Sequence, residues 1–196
     1  MLIRKEIVFL VDIVLAQTAP LGNFHRAWPS ASLDEIADYS IVSLAHGGDI
    51  KQKNTLVSNL GVEWPLPGKV ATSPAEQHRL LGLQTDQIFV LFQRDGLDPI
   101  SEISASLDGK CYLTDQSDSW AILSLSGKNS RLALERICPV DLAKDVFPVG
   151  AVARTQMEHL GVIIVRTGDD DFLLLSARSS ARSFLHAVSA SIEFTQ

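Results

Sequence analysis

Residues 113–150 read LTDQSDSWAILSLSGKNSRLALERICPVDLAKDVFPVG, and the order of apolar and turn-forming side chains in them sets the fold class. Trp120 to Leu125 is apolar on both alternating faces except at Ser124, which predicts an interior strand rather than one with a wet face. Ser126-Gly127 then supplies an N-cap hydroxyl and a backbone hinge. From Lys128 onward, Ala133, Leu134, Ile137 and Cys138 place one apolar stripe on a helix that runs to Ile137. Pro139 stops it, because the residue before a proline is pushed out of the helical basin. Phe147-Pro148 marks a second turn, and Phe147 is the natural anchor for a loop that returns the chain from helix to sheet.

Working outward, the same plan recurs on both sides. Upstream, Tyr39 to Ala45 reads as a strand, and Asp49 caps a helix that buries Leu56, Val57 and Leu60 and closes at Gly61. Short apolar runs follow at Lys69 to Thr72, Gln77 to Leu83 and Gln87 to Gln93. Asp98-Pro99 then opens a helix with Ile100, Ile103 and Leu107 inward. Downstream, Cys111 to Leu125 supplies strand, Ala151 to Glu158, Gly161 to Arg166 and Phe172 to Ser176 three more, and Ser179 caps a last helix carrying Phe184, Leu185, Val188 and Ile192. Ser43-Leu44-Ala45 is echoed by Ser124-Leu125-Ser126 about eighty residues on. The expectation is an α+β protein of two β-α-β-β-β-α modules, each sheet covered by its own helices. The halves are 39–110 and 111–196, with the boundary between about Leu107 and Thr114. Residues 1–38 form an N-terminal arm, packed either on its own domain or on another subunit. Within it, Ile7, Val8, Leu10, Val11, Val14 and Leu15 suit a short helix or a strand, and Ser32-Leu33-Asp34-Glu35 has capping-box spacing for a helical turn.

The chain has 196 residues, 46% of them hydrophobic, enough for one sizeable core or two small ones packed together. Its 17 Lys+Arg against 23 Asp+Glu give a net charge of −6, and the basic residues are scattered. That argues against a nucleic-acid partner. Cys111 and Cys138 have no CxxC neighbour, so a reduced, cytoplasmic protein is expected. Arg4-Lys5 followed by Ile7 to Ala16 imitates a secretory signal. Glu6 and Asp12 interrupt that stretch, and it is too short to span a bilayer.

The residues that usually carry chemistry do not assemble in the sequence. His25, His46, His78, His159 and His186 form no HxH or HExxH pattern, and Asp169-Asp170-Asp171 reads as a hairpin tip. No G-x-S-x-G or G-x-G-x-x-G occurs. Gly127-Lys128-Asn129-Ser130 lacks the upstream glycines of a phosphate loop and reads as a strand-to-helix turn, with at most a weak anion-holding role. A reactive thiol wants a neighbouring base or a helix N-terminus; Cys138 instead ends a helix, where the dipole disfavours a thiolate, and both cysteines read as structural. The expected catalytic, cofactor-binding and metal-ligating sets are therefore each empty.

One resemblance adds to this. Leu125-Ser126-Gly127, Cys138-Pro139-Val140-Asp141-Leu142 and Phe147-Pro148-Val149-Gly150, in that order and spacing, resemble the gamma subunit of heterotetrameric sarcosine oxidase. That family is a relative of the folate-binding module of the glycine-cleavage aminomethyltransferases. The likeness runs from about Tyr39 to the C-terminus and is strongest in the second half. It implies an aminomethyltransferase (folate-binding domain)-like fold and a noncatalytic role in assembly, beside alpha, beta and delta subunits, with no nucleic acid or membrane involved. The complex would oxidise sarcosine to glycine with hydrogen peroxide and formaldehyde or 5,10-methylenetetrahydrofolate as products. FAD, FMN, NAD and tetrahydrofolate would sit in the partner subunits. The alternative is a stand-alone folate-binding, aminomethyltransferase-like protein of one-carbon metabolism. Such an enzyme needs a pterin-stacking aromatic opposite a buried acid, and full-length aminomethyltransferases carry further C-terminal domains.

Overall fold

The computed structural model describes residues 18–96 and 98–196. The reading of Ile7 to Leu15 and the secretory-like pattern of Arg4 to Ala16 lie outside the described residues. In chain order the strands and helices are β1 (His25–Ala27), β2 (Ser32–Ile36), β3 (Tyr39–Ala45), α1 (Ile50–Val57), β4 (Val70–Thr72), β5 (His78–Gly82), β6 (Gln87–Gln93) and α2 (Pro99–Ser104). There follow β7 (Tyr112–Asp115), β8 (Trp120–Ser126), α3 (Ser130–Glu135), β9 (Val152–Met157), β10 (Leu160–Arg166), β11 (Phe172–Ala177) and α4 (Ala181–Glu193).

Two antiparallel sheets result, ordered β4-β5-β6-β3-β7 and β1-β2-β8-β11-β10-β9. Their inner faces meet through Ile41, Leu81, Phe89 and Leu91 on one side and Ile122, Ile163, Val165, Leu173 and Leu175 on the other. α1 and α2 cover the outer face of the first sheet with Leu56, Val57 and Ile103. α3 and α4 cover the second with Ala133, Leu134, Phe184, Val188 and Ile192. The layers are thus helices, sheet, sheet, helices. Strands buried on both faces must be apolar at consecutive positions, which is why Ile88–Phe92 and Phe172–Leu175 read as runs and not as alternations.

The sheets are joined at one side. Lys69 bridges Ala151, Val70 N–H donates to Gly150 C=O at 2.8 Å, and Val152 N–H donates to Gly68 C=O at 3.1 Å. Elsewhere the chain itself ties them. β2 directly precedes β3 but pairs with β8 in the other sheet, and β7 precedes β8 but pairs with β3.

The strand pairing therefore crosses the boundaries drawn at residues 38 and 110. Residues 25–27 and 32–36 are sheet strands and not an arm, because Leu33 is a core residue that β8 covers. Cys111 to Leu125 is not one strand but two, β7 and β8, one in each sheet. Ser32-Leu33-Asp34-Glu35 is strand and not helical turn: its burial alternates, with Leu33 and Glu35 inward. Ser126 is the last residue of β8, paired with Ser32, and caps nothing; α3 starts four residues later with no side-chain cap. α2 is likewise shorter than its apolar stripe, ending before Leu107, and Ser180, not Ser179, stands at the N-terminus of α4. Asp49 and Asp98 do cap: Gln52 N–H donates to Asp49 Oδ1 at 2.9 Å and Ser101 N–H to Asp98 Oδ1 at 3.1 Å. Gly61 closes its helix at φ +71°, where a side chain would be strained.

Candidate functional site

The inner face of the second sheet opens to the surface at one end of the layer between the sheets. A cleft of about 300 Å³ lies there, floored by the small residues Gly161 and Ala177 and walled by Trp120, Arg154 and Ile163. Trp120 stands edge-on to Phe89, with ring centroids 5.7 Å apart, and the Arg154 guanidinium lies 5.8 Å from the Phe89 centroid. An aromatic wall is present, but no carboxylate lines the cleft.

Among the described residues the buried acid is Glu35, and its carboxylate is committed elsewhere. It accepts from the backbone N–H groups of Leu21 at 2.8 Å, Asn23 at 2.7 Å and Phe24 at 3.2 Å. These bonds hold the loop into β1 with Gly22 and Asn23 at positive φ. Glu35→Ala should cost about 2 kcal/mol in urea unfolding, and Glu35→Gln about half as much, because the amide keeps one acceptor oxygen.

Two buried cations were not singled out by sequence reasoning, and both are structural. Lys53 sits at helical spacing with Leu56 and Val57, the signal that it faces inward; its ammonium donates to Thr85 C=O at 3.0 Å, pairs with Asp86 and lies 5.7 Å from the Trp64 ring centre. Arg166 ends the β10 apolar run, 1% exposed, and has no acidic side-chain partner among the described residues. Its guanidinium donates to the carbonyls of Phe147 at 2.8 Å, Leu142 at 3.1 Å and Gly168 at 3.3 Å, and also to Asp169, while stacking 5.3 Å from the Phe172 centroid. The proline-marked loop of residues 139–150 is thus wound around one side chain. Phe147 is buried beneath it, as the sequence predicts.

The histidines stay apart. His25 pairs with Asp34 at the surface, the His46 ring accepts from Gly48 N–H at 3.0 Å, and His159 occupies the β9–β10 turn. Burial against Phe92 holds His78 below the usual imidazole range, with Glu102 opposing weakly. Among the described residues no three or more His, Cys, Asp or Glu side chains are arranged to hold a metal ion. Asp169 to Asp171 form the β10–β11 tip, where Lys144 pairs with Asp169 at 3.0 Å.

The Ser126–Asn129 turn is spoken for as well. Gly127 has φ +112°, and a Cβ there would meet Ser30 C=O at 2.6 Å. The Asn129 side chain donates to Ser30 Oγ at 3.0 Å and to Thr195 C=O at 2.6 Å, tying turn, β1–β2 loop and C-terminus together. Both cysteines are free thiols, and burial pushes each above the usual thiol range. Fewer thiolates at a given pH means slower alkylation. Iodoacetamide labelling at pH 8 should be slow on the native chain, fast in urea, and should accelerate as pH is raised.

This arrangement of two helix-covered sheets places the chain in a known class. It superposes on the glycine cleavage system aminomethyltransferase T of Bartonella henselae with a TM-score of 0.59 at 13% identity, covering 87% of this chain and 56% of that one. It superposes on a chain of heterotetrameric sarcosine oxidase from Corynebacterium sp. U-96, solved in complex with pyrrole 2-carboxylate, with a TM-score of 0.72 at 24% identity, covering 85% and 86%. In sequence it is similar to sarcosine oxidase subunit gamma of Corynebacterium sp. (strain P-1), 28% identical over 132 residues, and to that of an Arthrobacter species, 29% over 121. Those matches cover 67% and 61% of this chain but 64% and 59% of the relatives, so the chain spans under two thirds of the length of the curated relatives it matches. No family model matches. The protein resembles sarcosine oxidase gamma subunits in sequence and has the aminomethyltransferase-like fold.

Proposed function

We propose that this chain is a noncatalytic subunit of a sarcosine oxidase-type flavoenzyme, supporting the assembly of the complex that converts sarcosine to glycine. The observation that carries the reading is the gamma-subunit likeness, which holds in sequence and in fold. The structure agrees with it in one specific way. Glu35, Lys53 and Arg166, the buried charges among the described residues, are each committed to holding a loop or helix in place. These three groups are engaged in holding the fold together.

On this proposal FAD, FMN, NAD and tetrahydrofolate belong to partner alpha, beta and delta subunits, and the complex is cytoplasmic. The free thiols suit a reducing compartment, and among the described residues no helix is long and apolar enough to cross a membrane. We also infer that the two sheet-and-helix units descend from one duplicated module. What supports this is that β3-α1-β4-β5-β6-α2 and β8-α3-β9-β10-β11-α4 share element order, and their strands are arranged alike as β3-β6-β5-β4 and β8-β11-β10-β9.

The alternative, a stand-alone folate-binding protein, would need an acid opposite the aromatic wall of Trp120 and Phe89. Titration of the purified chain with tetrahydrofolate, followed by Trp fluorescence, should give no saturable change. Saturable binding in the micromolar range would favour the alternative.

A further inference from the structure

We propose that the cleft at the open end of the layer between the sheets binds a small carboxylate carried on a flat apolar ring. The site stands whether or not the chain is an oxidase subunit. Strand register builds it. Ala177 lies opposite Trp120, and the pairing of Val162 with Ser176 brings Gly161 beside Ala177. The two smallest residue types thus separate the Trp120 indole from the edge strand β9, and leave a hollow of about 300 Å³. Ile163, two residues on from Gly161 on the same face, and Arg154, its cross-strand neighbour, close the next row.

Gly161 is the informative residue. A glycine inside a strand usually marks a bulge, a bend or a close backbone approach. Gly161 has no positive φ, and a Cβ there would meet no atom within 4 Å. Neither backbone nor packing requires a glycine, and its missing side chain keeps the floor of the cleft open.

Charge and shape together select the ligand. Arg154 is exposed, is held 5.8 Å from the Phe89 ring centre, and makes no ion pair among the described residues. The Trp120 indole N–H is buried with no hydrogen-bond partner among them, and Ser180, on the lining, does not cap α4. The lining therefore carries one cation and no acid; Asp118, in the turn before Trp120, lies off it. A guanidinium fork without a partner matches a carboxylate in both charge and geometry. An inorganic anion would leave the Trp120 and Ile163 walls uncovered, and a cation would meet Arg154 with no counter-charge. The volume is at the lower end of the range that ligand pockets span, room for one ring and not for a pterin with its benzoyl-glutamate tail.

The test is titration of the purified full chain with benzoate, followed by ¹H–¹⁵N NMR. Benzylamine, the same ring with the opposite charge, is the comparison. Benzoate should shift the Trp120 indole and Gly161 amide signals saturably, with a Kd at or below about 1 mM; benzylamine should not. Arg154→Gln removes the charge, and Gly161→Leu puts a side chain into the open space. Each should keep the native melting temperature and weaken benzoate binding about tenfold or more, with Arg154→Lys retaining part of it. Should Gly161→Leu fail to fold, Arg154→Gln, at an exposed position, decides alone. Absence of saturable shifts up to about 10 mM benzoate would overturn the assignment. So would equal binding of benzylamine, or undiminished binding by Arg154→Gln or by folded Gly161→Leu. Benzoate that binds the free chain and is excluded from an assembled complex would show a partner's side chain to be the occupant, and would overturn the small-molecule assignment as well.

Discussion

Replacing Arg166 with methionine should lower the unfolding free energy by about 4 kcal/mol in urea. Methionine keeps an unbranched apolar stem against Phe172 and removes only the guanidinium, so the loss reports the polar contacts. Of the four carbonyls that accept from it, those of Gly168 and Asp169 lie at the β10–β11 tip and regain water. Those of Leu142 and Phe147 are buried and cannot, and an unsatisfied buried acceptor costs roughly 1–3 kcal/mol. Arg166→Lys keeps the charge but not the fork of donors, so it should recover about half of the loss. A variant as stable as wild type would show that the loop of residues 139–150 does not depend on this side chain.

Phe147→Ala should be as costly, about 3–5 kcal/mol, because it empties a site in the core beneath α3 and α4. The Phe147 carbonyl also accepts from Arg166, so the two residues hold one loop from its two sides. The double variant should therefore cost less than the sum of the singles by roughly 0.5–3 kcal/mol. Strict additivity would mean that ring and guanidinium stabilise separate parts of the molecule. A loss below about 1 kcal/mol for Phe147→Ala would mean that the loop collapses readily into the space the ring leaves.

Strands buried on both faces announce themselves, so β3, β6, β10 and β11 are legible as apolar runs, and Asp49 and Asp98 are legible as caps. The division into sheets is not. Ser32-Leu33-Asp34-Glu35 satisfies a capping box and an alternating strand equally well, and the choice falls to strand because β8 lies beside it. The pairing of β7 with β3 depends on a partner nearly seventy residues away. Arg166 looks in sequence like a charge that ends a strand; two of its four acceptors come from a loop some twenty residues earlier. The lack of a catalytic constellation was an expectation from residue types and spacing. The commitment of Glu35 to loop amides becomes visible only once Leu21, Asn23 and Phe24 are folded around it.

The central claim is that the chain completes an oxidase without a reaction of its own. Its most direct measurement is sarcosine-dependent hydrogen peroxide production, followed by a peroxidase-coupled assay with and without tetrahydrofolate. The purified chain alone is compared with the chain co-purified with its flavoprotein partners. The account predicts no signal above the blank for the chain alone and full turnover for the assembled complex. Sarcosine-dependent peroxide from the chain alone would contradict it.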